Sequence, residues 1–424
     1  MTNTPRVLIV SNECLAENSS NGRTLRNFLL GWPKEHLAQF YTKPGTPDFS
    51  VCGQFYCVTD SDVLCSLKRP HAVQGRVEQK PDLAEHVSKE PDLRRKYGKN
   101  PWTVLVRTAV WNLGLWISKD FNSWLEEIDP EVVLLQAGDS PFMFALAEKI
   151  ADRFRAKLVI YNSEAYYFKT VDYMRSTGIP HRLYPLLRQY FRRQFRKTMR
   201  RTQHMVVNSE PLRARYAAEF DVPLSVLYTV SELPVFPVRQ TDGFSVLYAG
   251  NLGVGRVEPL LEVADALQAI SPARHLDVYG STRIPEEALC LKRYPGIRYH
   301  GAVPYETVKH AMLQSDLLIH AENFGDFYAE DLQYAFSTKI ADALACGRPF
   351  LLYAPENLVC TAYLREHRAA WIAVNPEELS ACLRELVQNP DARLRYRVQA
   401  AAVAAKNHTA AVNAEKFQQI LRQV

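Results

Sequence analysis

Ser337, Thr338 and Lys339 place two hydroxyl groups and an ammonium group side by side in the chain. They follow an apolar run at residues 317–320, which is typical of a buried parallel strand, and then a polar loop. Ser337 is suited to cap a helix, and a helix start offers unpaired N–H groups and the positive end of its dipole. Together these features predict an anion site, and phosphate is the anion that fits it.

Asp342 stands three residues after Lys339, on about the same face of the predicted helix. A carboxylate does not bind phosphate, but it accepts hydrogen bonds from sugar hydroxyls such as those of ribose. The plain alternative is that Ser337 only caps the helix and that Lys339 and Asp342 form a solvated ion pair. We favour a binding site because the loop follows a buried strand, and open α/β sheets bind ligands at such loops.

A glycine-rich loop, GNLGVGR at residues 250–256, lies between a predicted strand and a predicted helix. Its glycines, Gly253 among them, do not have the GxGxxG spacing of a dinucleotide-binding loop. Because Arg256 stands at its end, the loop suits a diphosphate better than it suits packing alone. Gly280 follows the next predicted strand, at residues 276–279.

Two loops in the front half of the chain also leave predicted strands. The loop at residues 11–22 ends in Gly22, which lets another molecule approach the backbone, although an ordinary turn glycine fits equally well. This loop lacks the three glycines of a dinucleotide fingerprint, so NAD is not indicated. In the loop after the predicted strand at 158–161, Glu164 is the acid that we expect to act, with a capping or surface glutamate as the alternative.

Residues 182–201 carry eight Arg or Lys residues and no acid. Apolar residues recur at helical spacing in this run, so a core-packed helix with a solvated basic face is one interpretation. The interpretation that we favour is contact with anionic lipid headgroups or with a polyanionic acceptor. The candidate contact residues are Arg188, Arg192, Arg193, Arg196 and Arg200.

Buried-strand patterns alternate with helical patterns in both halves of the chain. This alternation predicts an α/β protein with two doubly wound, Rossmann-like domains that face a cleft. We expect the first domain at residues 1–230 and a proline-rich linker at 231–243. The second domain is expected at 244–395, and a helix at 396–424 could cross back to the first domain.

The chain of 424 residues contains 47% hydrophobic and 11% aromatic residues, enough for two cores. Its formal net charge of +5 is too small to indicate nucleic-acid binding. No apolar run reaches the roughly 20 residues of a membrane span, and the N-terminus has no signal-peptide core, so we expect a cytoplasmic protein. The eight cysteines indicate buried free thiols because they contain no CxxC pair.

Two further segments have distinct compositions. Residues 68–101 are polar, with basic and acidic clusters and several prolines, and predict a long loop or an insertion. Residues 102–127 predict one long helix whose Trp111, Trp116 and Trp124 pack in the core or in an interface.

The order of these motifs resembles that of bacterial family 4 glycosyltransferases of the GT-B fold, which build capsular and lipopolysaccharide chains. The resemblance covers the whole order of elements and is strongest over residues 244–375. In this family the C-terminal domain binds the nucleotide-sugar and the N-terminal domain binds the acceptor. The motifs that carry it are the loop at 250–256, VYG at 278–280, STK at 337–339 and DALACGRP at 342–349.

Matching positions imply a role for each candidate around the diphosphate. Arg256 and Lys339 would neutralise its charge, and Ser337 and Thr338 would contact it at the helix end. The remaining backbone contacts to the donor would come from Gly22, Gly253 and Gly280.

The resemblance also implies roles around the sugars and the base. Asp342 would hold the ribose hydroxyls, Glu322 would face the donor sugar or its phosphates, and Val303 would lie near the base. Glu164 stands about where many relatives have a histidine near the reacting sugar. The glutamate pair of the family, separated by seven residues, is absent, because Tyr334 stands eight residues before Asp342, and the second acid is Asp, one methylene shorter than Glu.

The expected reaction is transfer of a hexose from a nucleoside-diphosphate sugar to a glycan or a lipid-linked glycan. The resemblance implies retention at the anomeric carbon. The cleft loops contain no Asp-x-Asp for Mg²⁺, so we expect neither a metal nor another cofactor. A sugar-nucleotide 2-epimerase and an inactive glycan-binding or scaffold protein of the same fold are the alternatives. The basic helix would place the protein on the inner face of the plasma membrane, and the oligomeric state is open.

Overall fold

The computed structural model describes residues 4–16, 20–79, 98–231, 233–237 and 244–424. The predicted insertion at 68–101 and the predicted linker at 231–243 therefore lie partly outside the described residues. The chain forms two compact units. The first comprises Met1–Leu227 and Asn413–Val424, and the second comprises Tyr228–Val412.

The first unit is built on a sheet that has eight strands among its described residues. The strands are β1 (Val7–Ser11), β2 (Leu37–Tyr41), β3 (Gln54–Cys57), β4 (Arg76–Val77), β5 (Val132–Gln136), β6 (Lys157–Asn162), β7 (Thr202–Val207) and β8 (Leu224–Val226). Their order is β4-β3-β2-β1-β5-β6-β7-β8. All neighbours are parallel except β3 and β4.

Helices occupy most connections of the first unit. They are α1 (Ser20–Phe28), α2 (Asp60–Ser66), α3 (Pro101–Asn112), α4 (Lys119–Ile128), α5 (Pro141–Phe154), α6 (Gly178–Arg182), α7 (Tyr184–Met199) and α8 (Glu210–Ala217). Local signals explain where they begin. For example, Asn100 forms a capping box with Thr103, and Pro101 occupies the first turn of α3, where its missing N–H costs nothing.

The second unit is built on a parallel sheet, with six strands among the described residues in the order β11-β10-β9-β12-β13-β14. These strands are β9 (Val246–Ala249), β10 (Leu276–Tyr279), β11 (Ile297–Gly301), β12 (Leu317–Ala321), β13 (Phe350–Tyr353) and β14 (Trp371–Ala373). The helices are α9 (Val257–Ile270), α10 (Pro285–Arg293), α11 (Tyr305–Gln314), α12 (Ala329–Leu332), α13 (Thr338–Ala345), α14 (Val359–Glu366), α15 (Pro376–Gln388) and α16 (Arg397–Asn407), and α17 (Ala410–Gln423) follows them.

The prediction of two doubly wound α/β units is confirmed. In the first sheet the order reverses at β1, which pairs with β2 and β5, and in the second it reverses at β9, which pairs with β10 and β12. Loops that leave the carboxyl ends of strands at such a reversal form the ligand-binding crevice of open α/β sheets. In the second unit these are the loops after β9 and β12.

Apolar packing holds this crevice in place. All five residues of β12 are buried, as expected for a strand covered on both faces. On α9, Leu260, Val263, Ala264 and Leu267 are completely buried against the sheet and recur at helical spacing. The loop between β9 and α9 therefore starts and ends on rigid elements.

The long helix predicted at residues 102–127 is wrong, because the structure divides it into α3 and α4. Gly114 lies between the two helices with a φ of +71°, a conformation that side chains with a Cβ rarely adopt. Ser118 then caps α4 by accepting a hydrogen bond of 3.1 Å from the backbone N–H of Phe121. The tryptophans pack as expected, with the rings of Trp111 and Trp116 5.3 Å apart in the core.

The single helix predicted at 396–424 is also divided, into α16 and α17. His408 lies between them and is fully buried, with Nδ1 2.7 Å from the Thr229 carbonyl oxygen and Nε2 2.9 Å from the Tyr363 hydroxyl. Burial lowers the pKa of His408 to about 4, so the imidazole is neutral and uses one ring nitrogen in each bond. At His408, these bonds to distant residues take the place of the continuous helix that the sequence predicted.

We expect Gly280→Ala to destabilise the second unit by about 1–3 kcal/mol, because an added Cβ would lie only 1.9 Å from the carbonyl oxygen of Gly250. Gly253→Ala is the matched control in the neighbouring loop. Its Cβ would lie 3.3 Å from the side chain of Asn251, which can move. Calorimetric unfolding of both variants tests this, and equal losses of stability in the two would contradict it.

Candidate functional site

The predicted helix start at Ser337 is confirmed. The Ser337 Oγ accepts a hydrogen bond of 3.2 Å from the backbone N–H of Lys339, and α13 begins at Thr338. All three residues of this helix start are partly exposed. The Lys339 ammonium lies 5.1 Å from the centre of the Tyr305 ring and 3.5 Å from Asp342 Oδ2. Ser337, Thr338 and Lys339 therefore lie at the first turn of α13, and their contact with an anion stays a prediction.

Arg256, at the end of the glycine-rich loop, forms a bidentate ion pair with Glu322. Its Nε and Nη2 donate to the two carboxylate oxygens at 2.8 and 2.9 Å, and its Nη1 donates to the Asn251 carbonyl oxygen at 3.3 Å. The side chains of Arg256 and Glu322 are only 13% and 4% exposed. The pair therefore joins the loops after β9 and β12, which leave neighbouring strands at the order reversal.

Both members of this pair are charged. Burial alone would raise the pKa of Glu322, but the Arg256 guanidinium and the His320 ring lower it to about 2. Burial would lower the pKa of Arg256, and the Glu322 carboxylate outweighs it and raises that pKa. A guanidinium has five N–H groups, so the three bonds described above leave two for an anion. Glu322 thus orients the Arg256 guanidinium and leaves part of it able to bind an anion.

His320 is a site residue that sequence reasoning missed. Its Nε2 lies 2.9 Å from Glu322 Oε1, and the ring is 3% exposed and stacks on Tyr248. Among the described residues its Nδ1 has no hydrogen-bond partner. His320 and Lys339 line one cavity of about 10 Å³, room for a single water molecule. The available signal was the spacing, since residues two apart along a strand point to the same side.

Asp342 is more buried than we would expect of a residue that contacts ribose. Its side chain is 3% exposed, and its Oδ1 accepts a hydrogen bond of 3.0 Å from the Ser231 hydroxyl. Its Oδ2 lies 3.5 Å from the Tyr305 hydroxyl and faces Lys339. The helical spacing put Asp342 beside Lys339 correctly, but it does not show that this side of α13 is covered. The ribose role stays a prediction.

Two glutamates at the family's spacing lie earlier in the chain than Asp342. Glu322 and Glu330 have seven residues between them, and Glu330 lies partly buried on α12. That the family's pair itself is absent stays a prediction, because spacing alone does not identify the pair.

The glycines and Val303 border the same carboxyl edge of the sheet. The backbone N–H of Gly280 donates to the Gly301 carbonyl at 2.9 Å, and that of Gly250 donates to Tyr279 at the same distance. Gly253 donates to the Asn251 side chain at 2.9 Å. Val303 is half-buried in the loop after β11. Their contacts to a donor stay predictions.

The two candidates of the first unit lie at the carboxyl ends of its strands. Gly22 was predicted to end a loop, but it is buried inside the first turn of α1, because that helix already begins at Ser20. Glu164 is exposed in the loop after β6, and its backbone N–H donates to Asn162 Oδ1 at 3.3 Å. Its exposure is compatible with contact to a ligand.

The basic run forms α7, but its charges are not left without acids. Arg188 donates to the Lys169 carbonyl at 2.7 Å, and Arg192 stacks on the Tyr167 ring. Arg196 donates to the Tyr167 hydroxyl at 2.7 Å and to Glu219 at 2.9 Å. Acidic residues from distant parts of the chain compensate the charge of this helix. The sequence of the basic run alone could not indicate this. Arg193 and Arg200 are exposed.

Within the described part of the chain, no helix is both long enough and apolar enough to cross a membrane.

Glu322→Gln should lower the free energy of unfolding by about 3–5 kcal/mol at neutral pH, because it leaves the buried Arg256 charge without its partner. The folded pKa of Glu322 lies below its unfolded value of 4.5, so the stability that ionised Glu322 contributes is present above pH 4.5 and is lost as the pH falls toward 2. The difference in free energy of unfolding between wild type and variant, measured by urea titration, should shrink over that pH range. Glu356→Gln, at an exposed pair with Arg365, is the control, and a difference that does not change with pH contradicts the account.

Comparison with known proteins agrees with this architecture. No curated protein sequence matches the chain. A family model described as Glycosyl transferase-like matches residues 256–419, less than half of the chain but including Arg256, Glu322 and the start of α13.

Several solved structures share the fold over nearly the full length. HepE of Anabaena, in complex with UDP and glucose, has a TM-score of 0.62 at 10% identity, with 99% of this chain and 100% of HepE covered. Sucrose-phosphate synthase from Thermosynechococcus elongatus has a TM-score of 0.62 at 12% identity, with 99% of each chain covered. The lipopolysaccharide outer core galactosyltransferase WaaB has a TM-score of 0.55 at 12% identity, with 99% of each covered. At these identities the likeness concerns the fold, and the chain has the GT-B fold of glycosyltransferases.

Proposed function

We propose that the chain transfers a hexose from a nucleoside-diphosphate sugar to a hydroxyl of a glycan or a lipid-linked glycan. The observation that carries this proposal is the oriented Arg256 guanidinium in the loop after β9, together with the Ser337–Lys339 helix start that follows β12 in the same unit. Both lie in the part of the chain that matches the Glycosyl transferase-like family model. UDP, which is bound in HepE, is the first nucleotide to test.

The reaction needs stabilisation of a leaving diphosphate. Breaking the anomeric C–O bond builds positive charge on the sugar and negative charge on the diphosphate. Groups that are already oriented toward that negative charge lower the barrier without reorganising in the transition state. Arg256 is held by Glu322, and Glu322 by His320, so this cation is oriented before a ligand arrives. Lys339 and the N–H groups of α13 add a second source of positive charge.

The finer features of the proposal rest on chemistry and on the family resemblance. With Arg256, Lys339 and the helix start supplying positive charge, the diphosphate needs no metal, and we propose a reaction without metal or other cofactor. Retention at the anomeric carbon and a place in polysaccharide synthesis follow from the resemblance to family 4. Under retention, Glu164 would stabilise the positively charged sugar or orient the acceptor, and would not have to act as a base. The exposed arginines of α7 support a peripheral place on the inner membrane face.

Lys339→Ala should lower kcat/KM by about 100- to 1,000-fold if the ammonium stabilises the leaving diphosphate as other oriented charges do. Arg256→Lys should lower it to a similar extent, because an ammonium cannot keep the bidentate bond to Glu322. Arg365→Ala removes an exposed cation of the same unit and should leave turnover unchanged. Near-wild-type rates in Lys339→Ala and Arg256→Lys would reject the proposed roles.

The donor and the reaction class can be tested separately. A thermal-shift screen against UDP, GDP, ADP and dTDP sugars should show stabilisation by one nucleotide, and no response to any of them would favour an inactive scaffold. Incubation with the sugar nucleotide alone should leave the sugar unchanged at its second carbon. Conversion without an acceptor would instead indicate a 2-epimerase. Turnover should also persist in the presence of a chelator, and its loss would contradict the metal-free reaction.

A further inference from the structure

Exposed large apolar side chains in the first unit are concentrated on a few helices. Leu64 lies on α2 and Leu67 directly after it, and Trp102 and Val106 lie on α3 with Leu113 directly after it, with exposures between 40% and 61%. Ile179 and Leu186, at the starts of α6 and α7, are exposed by 73% and 56%. Exposed apolar patches of this kind on a folded unit mark contact with a protein, a ligand or a membrane.

Helices α2 and α3 enclose a groove of about 470 Å³ between them. Its wall is mostly apolar and includes Val63 and Leu64 from α2 and Trp102, Val106 and Val110 from α3. The three α3 residues recur every fourth position, so they form one stripe along the helix. The groove therefore runs parallel to α3 and is open along that stripe.

The polar groups at the groove are used within the unit. Asp60 accepts hydrogen bonds from Arg107 Nε at 2.7 Å and from Trp111 Nε1 at 2.8 Å, which ties α2 to α3. Arg107 also donates to the Ser140 hydroxyl at 3.0 Å. These bonds fix the two walls relative to each other, and most of the remaining lining is hydrocarbon.

The basic helix α7 is in contact with α3. The Asn112 side chain donates to the Tyr190 hydroxyl at 3.1 Å, which joins the end of α3 to α7. Tyr190, Arg193 and Arg200 line one shallow groove along α7. The apolar groove and the exposed arginines therefore belong to helices that touch each other.

Apolar surface beside exposed cations matches one class of partner best. A phospholipid bilayer with anionic headgroups offers hydrocarbon next to negative charge, and Trp side chains favour its interface. A protein partner would also cover apolar surface, but the anionic bilayer accounts for the arginines and the groove together. Charge complementarity therefore favours the membrane as the occupant.

We infer that the α2–α3 groove admits an acyl chain of an anionic bilayer while Arg193 and Arg200 contact its headgroups. Trp102 then lies at the boundary between headgroups and hydrocarbon. This site goes beyond the arginine face considered under the proposed function, because it adds a defined contact with the hydrocarbon layer. It rests on the proposed membrane location, but vesicle binding is measured without a sugar nucleotide, so the failure of either proposal is recognised separately.

Trp102 is a selective probe of this site. It is 57% exposed, whereas Trp32, Trp111, Trp116, Trp124 and Trp371 are each at most 6% exposed. Vesicles of phosphatidylglycerol and phosphatidylcholine in equal parts, with brominated acyl chains, should shift the tryptophan emission to the blue and quench it. Trp102→Phe should abolish both changes and leave cosedimentation with the vesicles nearly unchanged, since Phe keeps the apolar contact.

Substitutions to acidic residues test the apolar groove and the arginines separately. Val106→Asp should weaken vesicle partitioning by at least about tenfold, because a carboxylate cannot enter the hydrocarbon layer. Leu289→Asp, at a residue of similar exposure on α10, is the matched control and should bind as wild type does. Arg193→Glu with Arg200→Glu should weaken binding to the anionic vesicles by about tenfold or more. Circular dichroism and thermal melts confirm that each variant is folded.

Three results would overturn the inference. The first is anionic-vesicle binding without a change in Trp102 emission, and the second is equal quenching by vesicles of phosphatidylcholine alone. The third is a self-associated protein, detected by sedimentation, in which Val106→Asp restores the monomer and Trp102 is already shielded without lipid. In that case a second copy of the chain covers the groove.

Discussion

The candidate site of the second unit depends on one buried ion pair, Arg256 with Glu322. Taking both charges out of water is costly, and only the bidentate geometry and the further bonds of the pair offset that cost. The pair joins the loops after β9 and β12 at the reversal of strand order, where a parallel sheet opens its crevice. His320 continues the chain of contacts toward Lys339 through their shared small cavity. The Arg256 guanidinium is therefore held in one orientation by residues that also fix the loops after β9 and β12.

The second source of positive charge is built differently. At the start of α13, Ser337 caps the helix and Lys339 remains partly exposed, so its ammonium can move toward an anion. Asp342 lies beneath it, bonded to Ser231, and so links this helix to the segment that enters the second unit. One cation is thus oriented and buried, and the other is adaptable. That combination suits a ligand with two phosphate groups, of which one must leave.

In the first unit, one helix carries arginines that are bound within the unit and arginines that are exposed. On α7, Arg188, Arg192 and Arg196 are engaged with a carbonyl, a tyrosine and a glutamate of the same unit, and they stabilise its packing. Arg193 and Arg200 are exposed, and their helix contacts α3 through Tyr190. Three of the five candidate arginines are thus engaged within the unit, so the membrane proposal rests on fewer charges than the sequence suggests, and on hydrocarbon as much as on charge.

The sequence by itself determined most of the strands of the two sheets, the doubly wound class, the cap at Ser337 and the nearness of Lys339 to Asp342. These features follow from patterns within a few residues, such as apolar runs, capping side chains and helical spacing. Only the tertiary structure decided which charges are paired and which surfaces are covered. Arg256 meets Glu322, 66 residues away, and Asp342 meets Ser231, 111 residues away. No local pattern encodes such contacts, because they depend on which strands become neighbours in the sheet, and for the same reason the role of His320 became visible only in three dimensions.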